Sequence, residues 1–129
     1  MPPITCHILD TTLGQPAANV ECDIRVLKDT FEHFATARTN SDGRVAEWVP
    51  KASDGKLLKS VGFENNQWTG LASGVYQIRF HTKNYFLERD GKTFFPFIDI
   101  TFEVPNPPDN HYHVPLLLSN YGYSTYRGS

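Results

Sequence analysis

An all-β protein is predicted by this sequence, a β-sandwich of seven to eight short strands with one short helix. Three observations carry the prediction. Apolar residues recur with a period of two along most of the chain, turns rich in Gly, Pro and Asn interrupt these stretches at short intervals, and a single stretch carries helix start and stop signals. At 129 residues one domain spanning 1–129 is expected. A chain of this size buries roughly two-thirds of its unfolded surface, enough for a core of its own.

In ITCHILD (4–10), Ile4, Cys6 and Ile8 share one face while Thr5, His7 and Leu9 share the other. The turn TTLGQPAAN follows. VECDIRVLKD (20–29) turns Val20, Cys22, Ile24 and Val26 inward, with Glu21, Asp23 and Arg25 outward. FEHFATART (31–39) is a third strand, closed by the turn Asn40-Ser41-Asp42-Gly43, and RVAEWV (44–49) is a short fourth. Residues 50–73 hold no sustained period and read as a long surface loop with at most one helical turn. GVYQIRFH (74–81) is a fifth strand. The helix is TKNYFLERDG (82–91), with Thr82 as its cap and Gly91 beyond its last turn. FIDITFEV (97–104) is a sixth strand with Ile98, Ile100, Phe102 and Val104 on one face. HYHVPLLLS (111–119) is a seventh, and YSTYRG (123–128) an eighth, joined at Asn120-Tyr121-Gly122.

Charge narrows the function classes. Twelve basic against 14 acidic residues leave a net charge of −2, which offers no basic footprint for nucleic acid and no polybasic patch for a membrane surface. No apolar run approaches the roughly 20 residues of a membrane span. The opening MPPITCHILD lacks the basic-then-apolar order of a secretory leader, so the cytoplasm is the expected compartment. A peroxisomal location is left open, although the RGS ending is not an SKL-type address. Cys6 and Cys22 lack metal or disulfide spacing and are expected as small buried apolar residues.

Face parity points to a site. In the seventh strand Tyr112, Val114, Leu116 and Leu118 form the core face, which places His111, His113, Pro115 and Leu117 opposite. Leu9 and Leu117 therefore lie outside the core beside His7 and His113, a mixture that suits an interface or a lined cleft better than open water. Arg44 follows the SDG turn. His33, His81 and His111 read as solvated surface residues, and Tyr121, Tyr123 and Tyr126 as packing. His7, His111 and His113 share the right face for a metal, but no carboxylate or thiolate is arranged to complete a ligand set, and no metal is expected. HExxH, a Gly-rich phosphate loop and a GxSxG elbow are all missing.

The opening CHILDTTLGQPA, the turn SDGR, the run FFPFIDITFEV and the ending YHVPLLLSNYGYSTYRGS together resemble the transthyretin-like 5-hydroxyisourate hydrolases over nearly the whole chain. The ending Tyr126-Arg127-Gly128-Ser129 is the most specific mark. Asn120 departs from the proline common there, and the 50–73 loop is longer than usual. The resemblance implies a transthyretin-like (prealbumin) β-sandwich, assembled as a homotetramer (a dimer of dimers) with active sites in a channel between dimers. It further implies cofactor-independent hydrolysis of 5-hydroxyisourate to 2-oxo-4-hydroxy-4-carboxy-5-ureidoimidazoline in urate degradation. Carried over by position, the catalytic residues are His7, Arg44, His113 and Ser129, and the substrate-binding residues His7, Arg44, Tyr126, Arg127 and Gly128. A neutral imidazole suits a base near neutral pH, and an arginine suits an oxyanion. Which histidine takes the proton is open at this level. The alternative is a transthyretin-type small-molecule carrier without catalysis; those carriers share the fold but lack the YRGS ending and the histidines.

Overall fold

A computed structural model of the chain describes residues 2–129. Two sheets face each other. The four-stranded sheet has the order β11-β10-β1-β2, built from β1 (Ile4–Asp10), β2 (Gln15–Pro16), β10 (Tyr112–Leu118) and β11 (Tyr123–Thr125). The five-stranded sheet runs β5-β4-β3-β8-β9, from β3 (Glu21–Leu27), β4 (Phe31–Arg38), β5 (Val49–Pro50), β8 (Gly74–Phe80) and β9 (Ile98–Val104). A small hairpin, β6 (Phe63–Glu64) with β7 (Gln67–Trp68), and two helices, α1 (Gly55–Val61) and α2 (Thr82–Arg89), complete the described elements.

The predicted alternation builds the core. Ile4, Cys6 and Ile8 of β1, Leu116 and Leu118 of β10, and Cys22, Ile24, Tyr76, Ile78 and Phe80 of the facing sheet are all wholly buried in one cluster. Each large side chain of this kind stabilises by about 1.5–3 kcal/mol relative to exposure. Both cysteines are buried and free, and burial pushes both thiols up.

Three expectations are corrected. Residues 44–49 are not a continuous strand: Arg44 makes a single bridge to His7, and Val49–Pro50 pair with Ala35 and Thr36 of β4. The segment crosses from one sheet to the other, and its anchors Val45 and Trp48 are buried at a spacing of three, which breaks the period of two. The Trp48 indole N–H donates to the Ile4 carbonyl at 2.9 Å and pins the crossing. In the 50–73 segment, the expected single turn is the full helix α1, followed by the hairpin. Asp54 caps α1 through Oδ1, which accepts from the Leu57 N–H at 3.1 Å, and Gly62 ends it with φ 117°. Asn65 and Asn66 both take positive φ, the two-residue turn that matches strand twist. Phe63 stacks on Trp68 at 5.2 Å, and Trp68 packs edge-on against Phe34, so this segment is bound to the core. Thr82 is not the cap of α2. His81 holds that position without a side-chain cap bond, while Thr82 is buried in the first turn. Gly91 does sit past the helix end, with φ 74° and its N–H on the Phe86 carbonyl.

One buried polar cluster had no counterpart in the sequence reading. Asp10, wholly buried at the end of β1, accepts from the Tyr85 hydroxyl at 2.6 Å, from Arg89, and from the backbone N–H groups of Thr12 and Leu13. Burial alone would push its carboxyl up; the Tyr85, Arg89 and Leu13 bonds outweigh that and hold it below the usual carboxylate range. Asn120 bonds Arg89 and the Lys92 carbonyl, so the β10–β11 turn is fastened to the end of α2. No helix among the described residues is long and apolar enough to cross a membrane.

Candidate active site

The site rests on a parallel pairing of β1 with β10. Their register sets Thr5 beside His113, His7 beside Pro115 and Leu9 beside Leu117. Because side chains alternate across a strand, all six share the face turned away from the core. Leu9 and Leu117 are half-buried there, and Pro115 is already covered within the single chain.

Two short segments frame this row. On the β2 side, the Asn40–Gly43 turn is held by Asn40 Oδ1, which accepts from the N–H groups of Asp42 and Arg44 at 2.9 and 3.1 Å. Gly43 has φ 74°, and a Cβ there would lie 2.5 Å from the Ile8 carbonyl oxygen, so only glycine lets the turn come this close. The Ile8 N–H donates to the Gly43 carbonyl at 2.8 Å, and Arg44 is fixed opposite His7. On the other side the chain after β11 returns along β10, where the Gly128 N–H donates to the His113 carbonyl at 2.9 Å. A Cβ on Gly128 would meet His113 Cδ2 at 2.5 Å and Pro115 Cγ at 3.2 Å. Gly128 thus lies close against the Cγ–Cδ2 edge of the imidazole.

His113 is gripped on its other side. Thr5 Oγ1 lies 2.7 Å from His113 Nδ1 and 3.0 Å from His111 Nε2, and the two rings stand 6.5 Å apart at 18°. Burial lowers the His113 pKa first, then the positive charge of Arg44 and the neighbouring His111 and His7. His7 is lowered by burial and by Arg44, against an upward pull from Asp42. With an ordinary value of about 6.5, both rings are neutral at pH 7 and can accept a proton. The arrangement is two basic imidazoles beside a permanent cation on a half-covered sheet face. It can activate water and stabilise an oxyanion.

A family model described as "HIUase/Transthyretin family" matches residues 4–128. The chain belongs to the HIUase/Transthyretin family. It is 41% identical over 131 residues to 5-hydroxyisourate hydrolase 2 of Rhizobium meliloti, covering 98% of this chain and 95% of that one. Among solved structures it superposes on Klebsiella pneumoniae 5-hydroxyisourate hydrolase with a TM-score of 0.73 at 27% identity, covering 100% and 94% of the two chains. Transthyretin from Sparus aurata superposes with a TM-score of 0.75 at 24% identity, covering 99% and 97%, a likeness of fold.

Within this family framework the structure brings His7, Arg44, His113 and Gly128 together and sets Arg127 apart. Arg127 donates to Asp109 at 2.9 Å, and its guanidinium lies 4.7 Å over the ring of Tyr112, a core-face residue. Tyr126 and Arg127 line, with His113, Phe102 and Tyr112, a cavity of about 500 Å³ between β9 and β10. Tyr126 and Ser129 are exposed. Thr5 and His111 adjoin this group through the hydroxyl bridge, and neither was expected in the hydrolytic site. Their shared face with His7 and His113 was legible, but the parallel register that joins them was not. Among the described residues, the one group of His, Cys, Asp and Glu side chains with atoms close enough to share a metal is Glu21, Asp23 and His81, in the other sheet.

Proposed function

We propose that this chain hydrolyses 5-hydroxyisourate to 2-oxo-4-hydroxy-4-carboxy-5-ureidoimidazoline, a step of urate degradation, without a cofactor. The observation that carries the reading is the placement of Arg44 opposite His7, with His113 on the same face of the neighbouring strand. One imidazole takes a proton from water as the oxygen attacks a ring carbonyl of the substrate. The charge that develops on that carbonyl oxygen is met by Arg44, which cannot give up its proton. The ring C–N bond then breaks and its nitrogen leaves with a proton, which the imidazolium can supply. Gly128 closes the site in this reading by backing the His113 ring, and Tyr126 and Arg127 line the cavity that His113 shares. The transthyretin-type carrier is not favoured, because passive binding has no use for two imidazoles kept neutral beside a cation.

The half-buried Leu9 and Leu117 on the site face suit a homotetramer, a dimer of dimers whose contact covers them. Light scattering at micromolar concentration is expected to give four times the chain mass; a monomer would remove the channel from this account. The activity is tested by generating 5-hydroxyisourate with urate oxidase and following its ultraviolet decay. Decay should accelerate in proportion to added protein. Binding without faster decay would return the carrier.

A further inference from the structure

The Thr5 bridge has a logic of its own. A threonine hydroxyl has one proton to give and two lone pairs to accept with, while a neutral imidazole has one N–H and one bare nitrogen. Thr5 Oγ1 is within hydrogen-bond distance of both His113 Nδ1 and His111 Nε2, and it can donate to only one of them. If it donates to His111 Nε2, it accepts from His113 Nδ1–H, and the lone pair of His113 is left on Nε2. If it donates to His113 Nδ1 instead, the proton of neutral His113 sits on Nε2, and that nitrogen is no base.

Only the first arrangement survives proton uptake unchanged. A protonated His113 must donate through Nδ1, which Thr5 already accepts, so no hydroxyl has to turn when Nε2 takes its proton. His111 makes this arrangement possible by presenting a bare Nε2 as the acceptor for the hydroxyl. Gly128, against Cδ2 on the other side of the ring, stops it from swinging away from Thr5.

We propose that Thr5 and His111 are positioning residues of the hydrolase: Thr5, with its proton given to His111 Nε2, holds His113 in the Nδ1–H tautomer and so makes His113 Nε2 the general base. This rests on the hydrolase reading above. It is the orienting role that a third group plays behind a base–nucleophile pair, filled here by a hydroxyl and a second imidazole.

The test compares Thr5→Val, which keeps the branched shape and removes the hydroxyl, with Thr5→Ser, which keeps the hydroxyl. Thr5→Val should lower kcat about 10–10²-fold, part of what a positioned base contributes, with KM changed less than about twofold. Thr5→Ser should stay within about threefold of wild type. Imidazole ¹⁵N shifts supply a readout that a packing role would not move, the His113 signals being assigned by their loss in His113→Asn. Protonated Nδ1 is expected in wild type and Thr5→Ser, and protonated Nε2 in Thr5→Val. Wild-type kcat in Thr5→Val, an impaired Thr5→Val with His113 still protonated on Nδ1, or a Thr5→Ser as weak as Thr5→Val would each overturn the proposal. A wild-type protein that leaves 5-hydroxyisourate untouched would defeat the hydrolase reading instead, and the ¹⁵N shifts would still decide whether the hydroxyl sets the tautomer.

Discussion

On the outward face of the five-stranded sheet, His81 lies 2.7 Å from Asp23, and His33 approaches the same carboxylate at 3.5 Å, with Arg25 at 3.7 Å. On the outward face of the four-stranded sheet, His7 and His113 hydrogen-bond no carboxylate among the described residues. Their neighbours are Arg44, the Thr5 hydroxyl, His111 and one another, with Asp42 beside His7 on the turn. Histidine count and exposure are similar on the two faces, so neither separates catalytic from structural. The partner does. A ring whose Nε2 is committed to a carboxylate, as in His81, or to a carbonyl and a hydroxyl, as in His33, is a strut between strands, whereas a ring beside a cation is held toward its neutral form and keeps a bare nitrogen for chemistry.

The strongest way to break this comparison is to exchange the histidines of both faces. His7→Asn, Arg44→Ala and His113→Asn should each lower kcat/KM by about 10²-fold or more. His33→Asn and His81→Asn should leave it within about twofold. Because all five side chains point off the core, melting temperatures of the first three should move little; loss through unfolding would make those residues structural.

Gly128→Ala asks whether the ring must lie where it does. The added methyl would sit 2.5 Å from His113 Cδ2 and has to displace the imidazole from Thr5. A fall of about 30-fold in kcat is expected, from misplaced geometry, with the fold retained. Unchanged turnover would show that the ring tolerates displacement.

Asp23→Asn probes the other face. Asp23 is only 8% exposed and serves His81, Arg25 and Thr36 at once, so its loss should destabilise by about 1 kcal/mol in denaturant unfolding while kcat/KM stays at wild type. Lost activity with intact stability would reverse the roles of the faces.

The smallest effect is the pH dependence of stability. The folded state disfavours charged His7 and His113, so their contribution is fully present above the unfolded value of about 6.5 and is lost as pH falls through their lower folded values. Melting temperature should decline below about pH 6.5, less steeply in a His7→Asn/His113→Asn double variant. The same shift keeps the acid limb of kcat/KM below about pH 6.5 in the wild type. Equal slopes for wild type and double variant would assign the decline to other groups.

The sequence made faces legible and neighbours illegible. Alternation in ITCHILD and YHVPLLL correctly separated Ile4, Cys6 and Ile8 from His7, and Tyr112 and Val114 from His113. It carried no information on which strand lies beside which, so the Thr5 hydroxyl between two imidazoles could not be seen. Arg44 was singled out through its turn and its family resemblance, not through a strand, since Trp48 pulls the following residues into the core. The Asn65-Asn66 signal of the small hairpin was present but lacked alternating flanks. Asp10 was hidden by its parity: it continues the inward face of β1, and only Tyr85 and Arg89, far along the chain, make its burial tolerable.

The parallel pairing of β1 with β10 also orders events in time. Thr5 and His113 are 108 positions apart, yet every strand between β3 and β9 finds its ladder partners within that interval. During synthesis the five-stranded sheet can assemble on the ribosome while β1, made first, waits with Ile4, Cys6 and Ile8 uncovered. Such long-range closure is slow and leaves apolar surface open to wrong partners in the meantime. Catalytic competence therefore arrives last, with the synthesis of β10 and the Gly128 segment, and a nascent chain halted before them would leave β1 and the inward face of the five-stranded sheet without their cover and would have no active site.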